Sequence, residues 1–196
     1  MTWEQIKALV VETLTAPQLA APKVLALGLP RQVVWLGIAL ISVLNGLYYA
    51  LLLPGMARSG FGVPEMAQSP LLLTIFILII FVGMMSLMVV TGRFLGGAGD
   101  IERIGAVTVW LQGLRFLAQV AISIVSIVSP LIGWVGAMAI GIWGIWVLLN
   151  FVAKAHEFSI PKALATMAMT FVGLILIMSV VSAVLGVAPA VPNGEI

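Results

Sequence analysis

The chain has 196 residues, of which 62% are hydrophobic and only 8% are charged, with a formal net charge of +2 and a mean hydropathy of +1.23. A soluble domain carries roughly a quarter charged residues, so nine basic and seven acidic side chains cannot cover a water-facing surface of this size. This composition excludes a water-soluble domain and a disordered chain, and the absence of cysteine excludes a disulfide scaffold and thiol chemistry.

Residues 1–31 differ in character from the rest and are predicted to be a cytoplasmic segment. Apolar residues share one helical face (Trp3, Ile6, Val10 and Leu14), and polar residues lie opposite (Glu4, Gln5, Glu12 and Thr15). This pattern predicts an amphipathic helix on the membrane surface, which either anchors the first span or binds a partner or curved membrane. No cleavable leader is expected, because Trp3 and Glu4 interrupt the pattern of a signal peptide.

Five stretches are long enough to cross a bilayer, which requires about 20 apolar residues. They are Val33–Leu53, Leu71–Thr91, Ile104–Val128, Leu131–Val152 and Ala163–Ala188. Each is apolar around nearly its whole circumference, and none alternates as a β-barrel strand would. The sequence therefore predicts an all-α, polytopic integral membrane protein. Five transmembrane helices form one bundle over residues 32–188, and a short exposed tail follows at 189–196.

Basic residues divide unequally between the two sides of a five-span arrangement. One side holds seven of them: Lys7, Lys23, Arg31, Arg93, Arg103, Lys154 and Lys162. The other side holds Arg58 alone. Because loops rich in Lys and Arg stay in the cytoplasm, the N-terminus is predicted to be cytoplasmic and the C-terminus exterior.

Polar residues recur at three- and four-residue steps along the third span: Thr108, Gln112, Arg115, Gln119, Ser123 and Ser126. Asn45 of the first span lies at a similar depth, and Asn150 lies near the cytoplasmic end of the fourth. At 1.5 Å per residue, Arg115 is roughly 16 Å into its span and near the bilayer midplane, so this face is predicted to point into the bundle.

No acidic residue lies at the midplane of any span, so the sequence offers no acidic side chain at the depth of Arg115 to pair with it. Its expected partners are the amide oxygens of Asn45, Gln112 and Gln119, free carbonyls or water. Two roles stay open for it. It is either a structural hub that fixes helix register or a binding point for an anionic headgroup or substrate.

Small residues in the fourth span predict close helix packing, within the bundle or between protomers. Gly133, Ala137 and Gly141 repeat every four residues, and Gly144 flanks them.

Catalytic and metal-binding chemistry is not expected. The string 97–100 matches the GxGD of intramembrane aspartyl proteases, but that chemistry needs two carboxylates and Asp100 is the only Asp. His156 is the only His, and no metal-ligating spacing is present, so no cofactor is expected. The Gly-rich run before Asp100 is interpreted as a turn, with Asp100 as the cap of the third span.

Two junctions resemble those of one membrane-protein family. The run 92–100 (GRFLGGAGD) resembles the second-to-third-span junction of the Yip-one (Ypt/Rab-interacting protein) domain family, and 150–163, with His156, resembles its fourth-to-fifth junction. The resemblance extends from about Gln18 to Val187. It implies five spans, a cytoplasmic N-terminus and a scaffolding or membrane-shaping role without catalysis. Eukaryotic members are associated with Rab-type GTPases, but their long soluble N-terminal region is missing here, so a GTPase partner is not expected.

Three hypotheses for function follow. The first is a scaffold that binds a membrane-protein partner or a second copy in the lipid bilayer, with no role in nucleic-acid binding. Its contacts are predicted on loops 92–104 and 153–162, at Arg93, Gly96, Gly97, Gly99, Asp100, Arg103, Lys154, His156 and Lys162. The second is a small transporter or a protein that binds anionic lipid through Arg115. The third is an accessory subunit of a larger membrane complex. Resemblance to short bacterial members predicts the bacterial inner membrane.

Overall fold

The computed structural model describes residues 1–58 and 69–184, and these form seven helices. They are α1 (Trp3–Thr15), α2 (Pro17–Leu25), α3 (Arg31–Arg58), α4 (Pro70–Phe94), α5 (Ile101–Val128), α6 (Pro130–His156) and α7 (Ile160–Val184). The last five are long and apolar enough to cross a membrane, which confirms the predicted all-α, five-span fold. The predicted C-terminal tail, the end of the fifth span after 184 and most of the first loop lie outside the described residues.

Local signals explain where the spans begin and end. Pro70 and Pro130 occupy the first turns of α4 and α6, where a missing N–H costs nothing. Asp100 caps α5 as predicted, since its Oδ1 accepts the Arg103 N–H at 2.8 Å. Ser129 ends α5 and caps α6 at once, so these two spans form a tight antiparallel hairpin. α3 continues through Pro54, beyond the predicted end at Leu53.

The five spans pack in a ring in the order α3, α4, α7, α6 and α5, and α5 returns to α3. α3 and α4 approach closely, because a Cβ added at Gly46 would lie 2.1 Å from Oγ1 of Thr74. We call the end where α3, α5 and α7 begin the basic end, since Arg31, Arg93 and Arg103 lie there. The opposite end, with the turn at Ser129, is the distal end.

Buried side chains are concentrated in the basic half of the ring. In α5 the buried residues run from Ile104 to Thr108, and in α7 they are Ala163, Thr166 and Thr170. Between 131 and 146 of α6, only Gly133 is buried, and none of residues 171–180 in α7 is. The distal halves of these three helices therefore expose most of their apolar side chains.

The N-terminal segment is two helices and not the single helix that was predicted. The chain breaks at Ala16, whose φ of −144° and ψ of 62° are not helical, and Pro17 occupies the first turn of α2. α2 buries Ala20, Ala21 and Val24 and packs against α6 and α5. α1 is held by side-chain hydrogen bonds near its end, where Trp110 Nε1 donates to Thr13 Oγ1 at 3.0 Å.

The face of α1 that packs on the protein overlaps the predicted apolar face only in part. Leu9 and Thr13 are the buried residues of α1, and Ile6 and Val10 beside them are half-buried. Trp3 is 66% exposed and Leu14 is 46% exposed, so this part of the apolar face is left for another environment. Its location on a membrane surface stays a prediction.

Candidate functional site

Two helices end at the basic end with the same backbone motif, in which a left-handed residue turns the chain out of the helix. In α4 that residue is Gly96, with φ +83°, and the Gly97 N–H donates to the Gly92 carbonyl at 2.8 Å. In α6 it is Glu157, with φ 60°, and the Phe158 N–H donates to the Ala153 carbonyl at 3.0 Å. Both turns direct the following loop back across the bundle end.

His156 fastens the two turns to each other. Its side chain is buried, and Nδ1 accepts the Gly99 N–H at 3.1 Å while its carbonyl accepts the Ala98 N–H at 3.0 Å. Because Nδ1 accepts a hydrogen bond, it carries no proton in this arrangement. The Phe158 ring stacks on the imidazole with centroids 5.0 Å apart and planes 5° from parallel.

Three glycines enclose the imidazole ring, and together with His156 and Phe158 they form what we call the His156 junction. A Cβ added at Gly92 would lie 2.1 Å from Cε1, one at Gly97 2.7 Å from Nδ1, and one at Gly99 2.4 Å from Nδ1. No side chain fits between these backbones and the ring. The Gly-rich run is therefore a packing surface for His156 as well as a turn.

Side chains extend the junction across the bundle end. Arg103 forms an ion pair with Glu157 at 2.6 Å. Lys162 Nζ donates to the Leu95 carbonyl at 3.3 Å, again from one loop to the other. We call residues 93–103 and 154–162 together the loop surface, because these contacts make the two loops one continuous unit.

The loop surface is charged and partly apolar. Phe94 is 77% exposed, and Arg93, Lys154 and Lys162 of the same loop surface are exposed as well. Beside it, α2 and the ends of α5 and α6 form a shallow pocket of about 360 Å³. Its lining residues are Pro22, Leu25, Ala26, Arg103 and Lys154.

The second polar site is the Arg115 cluster, which consists of Arg115, Gln112, Gln119 and Asn45. Arg115 donates from Nε to Gln112 Oε1 at 2.5 Å, from one terminal nitrogen to Gln119 Oε1 at 2.9 Å and from the other to Asn45 Oδ1 at 2.9 Å. Asn45 is fully buried, and its side-chain Nδ2 donates to the Ile41 carbonyl at 2.8 Å. The three amide partners predicted from the sequence are confirmed.

The family model of the Yip1 domain matches residues 11–183, from the second half of α1 to the end of α7. The chain belongs to the Yip1 domain family. The loop surface and the Arg115 cluster both lie within the matched region, so each is part of this Yip1 domain. Comparison with curated proteins and with solved structures found no match.

The polar stripe of this Yip1 domain is not buried along its whole length, because the side chain of Arg115 is exposed although it donates to the buried Asn45 of α3. Thr108 is buried, because it lies in the closely packed basic half, where it donates to the Ile104 carbonyl at 2.8 Å. From about one helix turn beyond Thr108, the neighbouring spans no longer bury residues of α5. Asn150 is not part of the cluster, since it donates to the Trp146 carbonyl of its own helix at 2.8 Å.

The small residues of α6 divide into two groups. Gly133 is buried, and an added Cβ would lie 2.0 Å from Ser126 Oγ, so it packs within the hairpin as predicted. Ala137, Gly141 and Gly144 are exposed, and among the described residues no atom beyond the local helix backbone lies within 4 Å of a Cβ added at Gly141 or Gly144. Of the two predicted packing roles, packing inside the bundle therefore finds no support for these three residues in the described part of the chain. Contact with another chain stays a prediction.

Sequence reasoning missed several partners that join distant elements of the Yip1 domain. Thr91 Oγ1 and Thr170 Oγ1 are hydrogen-bonded at 2.9 Å, and the Tyr48 hydroxyl is hydrogen-bonded to Ser123 Oγ. Glu157 was also missed. The sequence offered a signal for it, because an acidic residue directly after His156 lies at the same end of the bundle as the basic start of α5. No local pattern marked the two threonines.

Proposed function

We propose that this Yip1-domain protein is a non-enzymatic membrane scaffold that binds partner proteins through its loop surface. The observation that carries the proposal is the His156 junction. It already holds the two loops in one orientation before a partner binds. A preorganised surface loses little conformational freedom when a partner docks. The exposed Phe94 among Arg93 and Lys162 has the mixed apolar and charged character of a contact surface.

The chemistry of the same residues favours binding over catalysis. The imidazole Nδ1 is engaged by the Gly99 N–H, and the ring is enclosed by backbone and Phe158, so it is not positioned to move a proton for a substrate. Asp100 is engaged as the cap of α5. These two residues act in the structure of the loops, which is why we assign no reaction to them.

The proposed orientation places the loop surface in the cytoplasm. It follows from the seven basic residues on the side of the N-terminus, against Arg58 on the other side. The exposed apolar face of α1, with Trp3 and Leu14, would then rest in the cytoplasmic leaflet. Resemblance to short bacterial members supports the inner membrane as its location.

Site-specific photo-crosslinking in native membranes tests the scaffold proposal. A photoreactive residue at Phe94 on the loop surface is compared with one at Leu131 at the distal end, because these residues are similarly exposed, at 77% and 71%. Position 94 is expected to capture the same few proteins in every preparation, whereas position 131, beside the turn at Ser129, captures neighbours that vary between preparations. Indistinguishable products from the two positions would refute the proposal.

Thiol labelling tests the orientation, and the absence of cysteine makes single-cysteine variants simple to interpret. Lys154→Cys and Leu131→Cys are each treated with a membrane-impermeant maleimide on intact cells and on inverted vesicles. We expect Leu131→Cys to react in cells and Lys154→Cys to react only in inverted vesicles. The reverse pattern would place the loop surface outside the cell and exclude a cytoplasmic partner.

A further inference from the structure

Arg115 lies at mid-depth in the membrane and is nevertheless exposed on the surface of the bundle. It is the fifteenth of the 28 residues of α5, so at 1.5 Å per residue it is about 21 Å from the first residue of a helix about 42 Å long. A cation at that depth is expensive unless an anion or water accompanies it. The described spans offer it amide oxygens but no carboxylate.

The hydrogen-bonding groups left over in the Arg115 cluster are donors. A guanidinium has five N–H groups, and three of them are directed at amide oxygens, one from each nitrogen. One N–H therefore remains on each terminal nitrogen, and both can donate to the oxygens of a carboxylate or phosphate. Gln119 Nε2 is a further buried donor without a partner in the described residues. The cluster as it stands is complementary to an acceptor with negative charge.

The depth of the cluster restricts how such an anion can arrive. The hydrocarbon core is about 30 Å thick, so lipid phosphates lie about 15 Å from a residue at its centre. A headgroup reaches that depth only by deforming the bilayer. A carboxylate carried on the side chain of another membrane-spanning helix is already at the right depth, and pairing with Arg115 would remove the cost of burying each charge alone.

The neighbouring helix leaves room for a second helix at the same level. In the antiparallel hairpin, Gly133 lies against Ser126 and Gly136 against Ile122, and the same register places Arg115 level with Gly144. In residues 1–58 and 69–184, nothing beyond the local helix backbone lies within 4 Å of a Cβ added at Gly144 or Gly141. Glycines without a neighbour let another helix backbone approach closely.

We infer that the exposed surface formed by α5 and α6 around Arg115 is a docking site for a partner's transmembrane helix that carries an Asp or Glu near its middle. The inference rests on the proposed function, since it states the chemistry of one partner of the scaffold. It concerns the membrane-embedded surface, whereas the crosslinking experiment above concerns the loop surface. Each can therefore fail without the other.

The test uses the full chain in lipid nanodiscs and synthetic membrane-spanning helices of leucine and alanine as the probe. One helix carries a central Glu, a second carries Gln there, and a third carries the Glu one turn from its end. The exposed Leu131 is replaced by Cys for a fluorophore, and energy transfer to the labelled helix reports binding. The central-Glu helix is expected to bind about tenfold more tightly than either of the others, as for an interhelical polar contact.

Variants separate charge pairing from general affinity. Arg115→Gln is expected to lose the tenfold preference, and Arg115→Lys to keep part of it, because an ammonium retains the charge but not the paired N–H groups. Arg31→Gln, which removes an exposed arginine at the basic end, is the matched control and should leave the preference unchanged. Elution as a single species in gel filtration shows that each variant is folded, and if Arg115→Gln fails this check, Gly144→Leu, which blocks close approach, replaces it with the same expected loss.

Three results would overturn the inference. The first is equal binding of the Glu and Gln helices to the wild-type chain. The second is a preference for Glu that persists in Arg115→Gln. The third is a preference that disappears when anionic lipid replaces neutral lipid in the nanodisc, because Arg115 would then take a lipid phosphate and not a partner's carboxylate.

Discussion

The basic and distal halves of the bundle are built differently, although both belong to the same apolar helices. In the basic half, helix ends, loops and α2 enclose side chains such as Phe151 and His156 almost completely. In the distal half, α6 exposes Trp134 at 64% and Ile142 at 67%. Lipid solvates apolar side chains as well as protein does, so helices in a membrane associate only where small residues or hydrogen bonds favour it.

The difference teaches where specific interactions lie in this chain. Glycines contact the His156 ring in the basic half, whereas a Cβ added at Gly141 or Gly144 of α6 would meet no other element of the described structure within 4 Å. Glycine therefore has a different effect in each half. In the basic half it allows close packing within the chain, and in the distal half it leaves helix backbone exposed.

The largest expected effect is that of His156→Ala in the basic half. Removing an enclosed ring leaves a cavity and an unsatisfied Gly99 N–H, which together cost about 3 kcal/mol of unfolding free energy. Thermal unfolding in mild detergent, converted to a free energy, measures it. A His156→Phe control fills the cavity and should recover roughly half of the loss. A loss of unfolding free energy below about 1 kcal/mol would mean that the basic half is not closely packed around His156.

Gly92→Ala sharpens the same comparison with a single methyl group. Alanine favours a helix over glycine by about 1 kcal/mol, but its Cβ would lie 2.1 Å from the enclosed imidazole, and such overpacking costs about 3 kcal/mol. We expect a net destabilisation of about 2 kcal/mol in the same unfolding measurement. A stabilised variant would show that the ring can move aside.

Gly144→Ala is the matched substitution in the distal half, and its effect should have the opposite sign. No other element of the described part of the chain lies within 4 Å of the added Cβ, so helix propensity decides the effect and the chain gains about 0.5–1 kcal/mol. The measurement is made on the isolated protein in the same detergent. Destabilisation would reveal a packing contact at Gly144. It would contradict the difference in packing between the two halves at this position.

Glu157→Gln has the smallest expected effect. Its ion pair with Arg103 is 2.6 Å long, but the Glu157 side chain is 62% exposed, so water and salt weaken it and the loss should be a few tenths of a kcal/mol. The loss should disappear in about 1 M salt, where the screening length falls to roughly 3 Å. An effect that is large and independent of salt would show that Glu157 acts through its left-handed backbone.

Several parts of the Arg115 cluster were predictable because they depend on spacing within one helix. Gln112 and Gln119 lie three and four residues from Arg115, where side chains on one helix always meet. Asn45 was found by matching its depth in another span. The exposure of Arg115 was not predictable, because hydropathy fixes that α5 is in the membrane but not how far its neighbours extend around it.

The His156 junction shows the opposite case. The sequence indicated a Gly-rich turn and a lone histidine, but these are 57 residues apart and no periodicity connects Gly99 with His156. Only the packing of α4, α5 and α6 brings the enclosed ring to three glycine backbones. Long-range contacts of this kind depend on side-chain shape, which composition and spacing do not encode.

The sequence by itself determined that this protein lies in a lipid bilayer, how many times it spans the bilayer and which residue caps α5. These properties follow from local sums over one segment, since each stretch of about 20 apolar residues can satisfy its backbone within its own helix. The tertiary structure alone decided which half of the bundle is closely packed and which residues of the Arg115 stripe are buried. Burial is a property of neighbours, and these helices acquire neighbours only where glycines, hydroxyls and amides make contact more favourable than lipid.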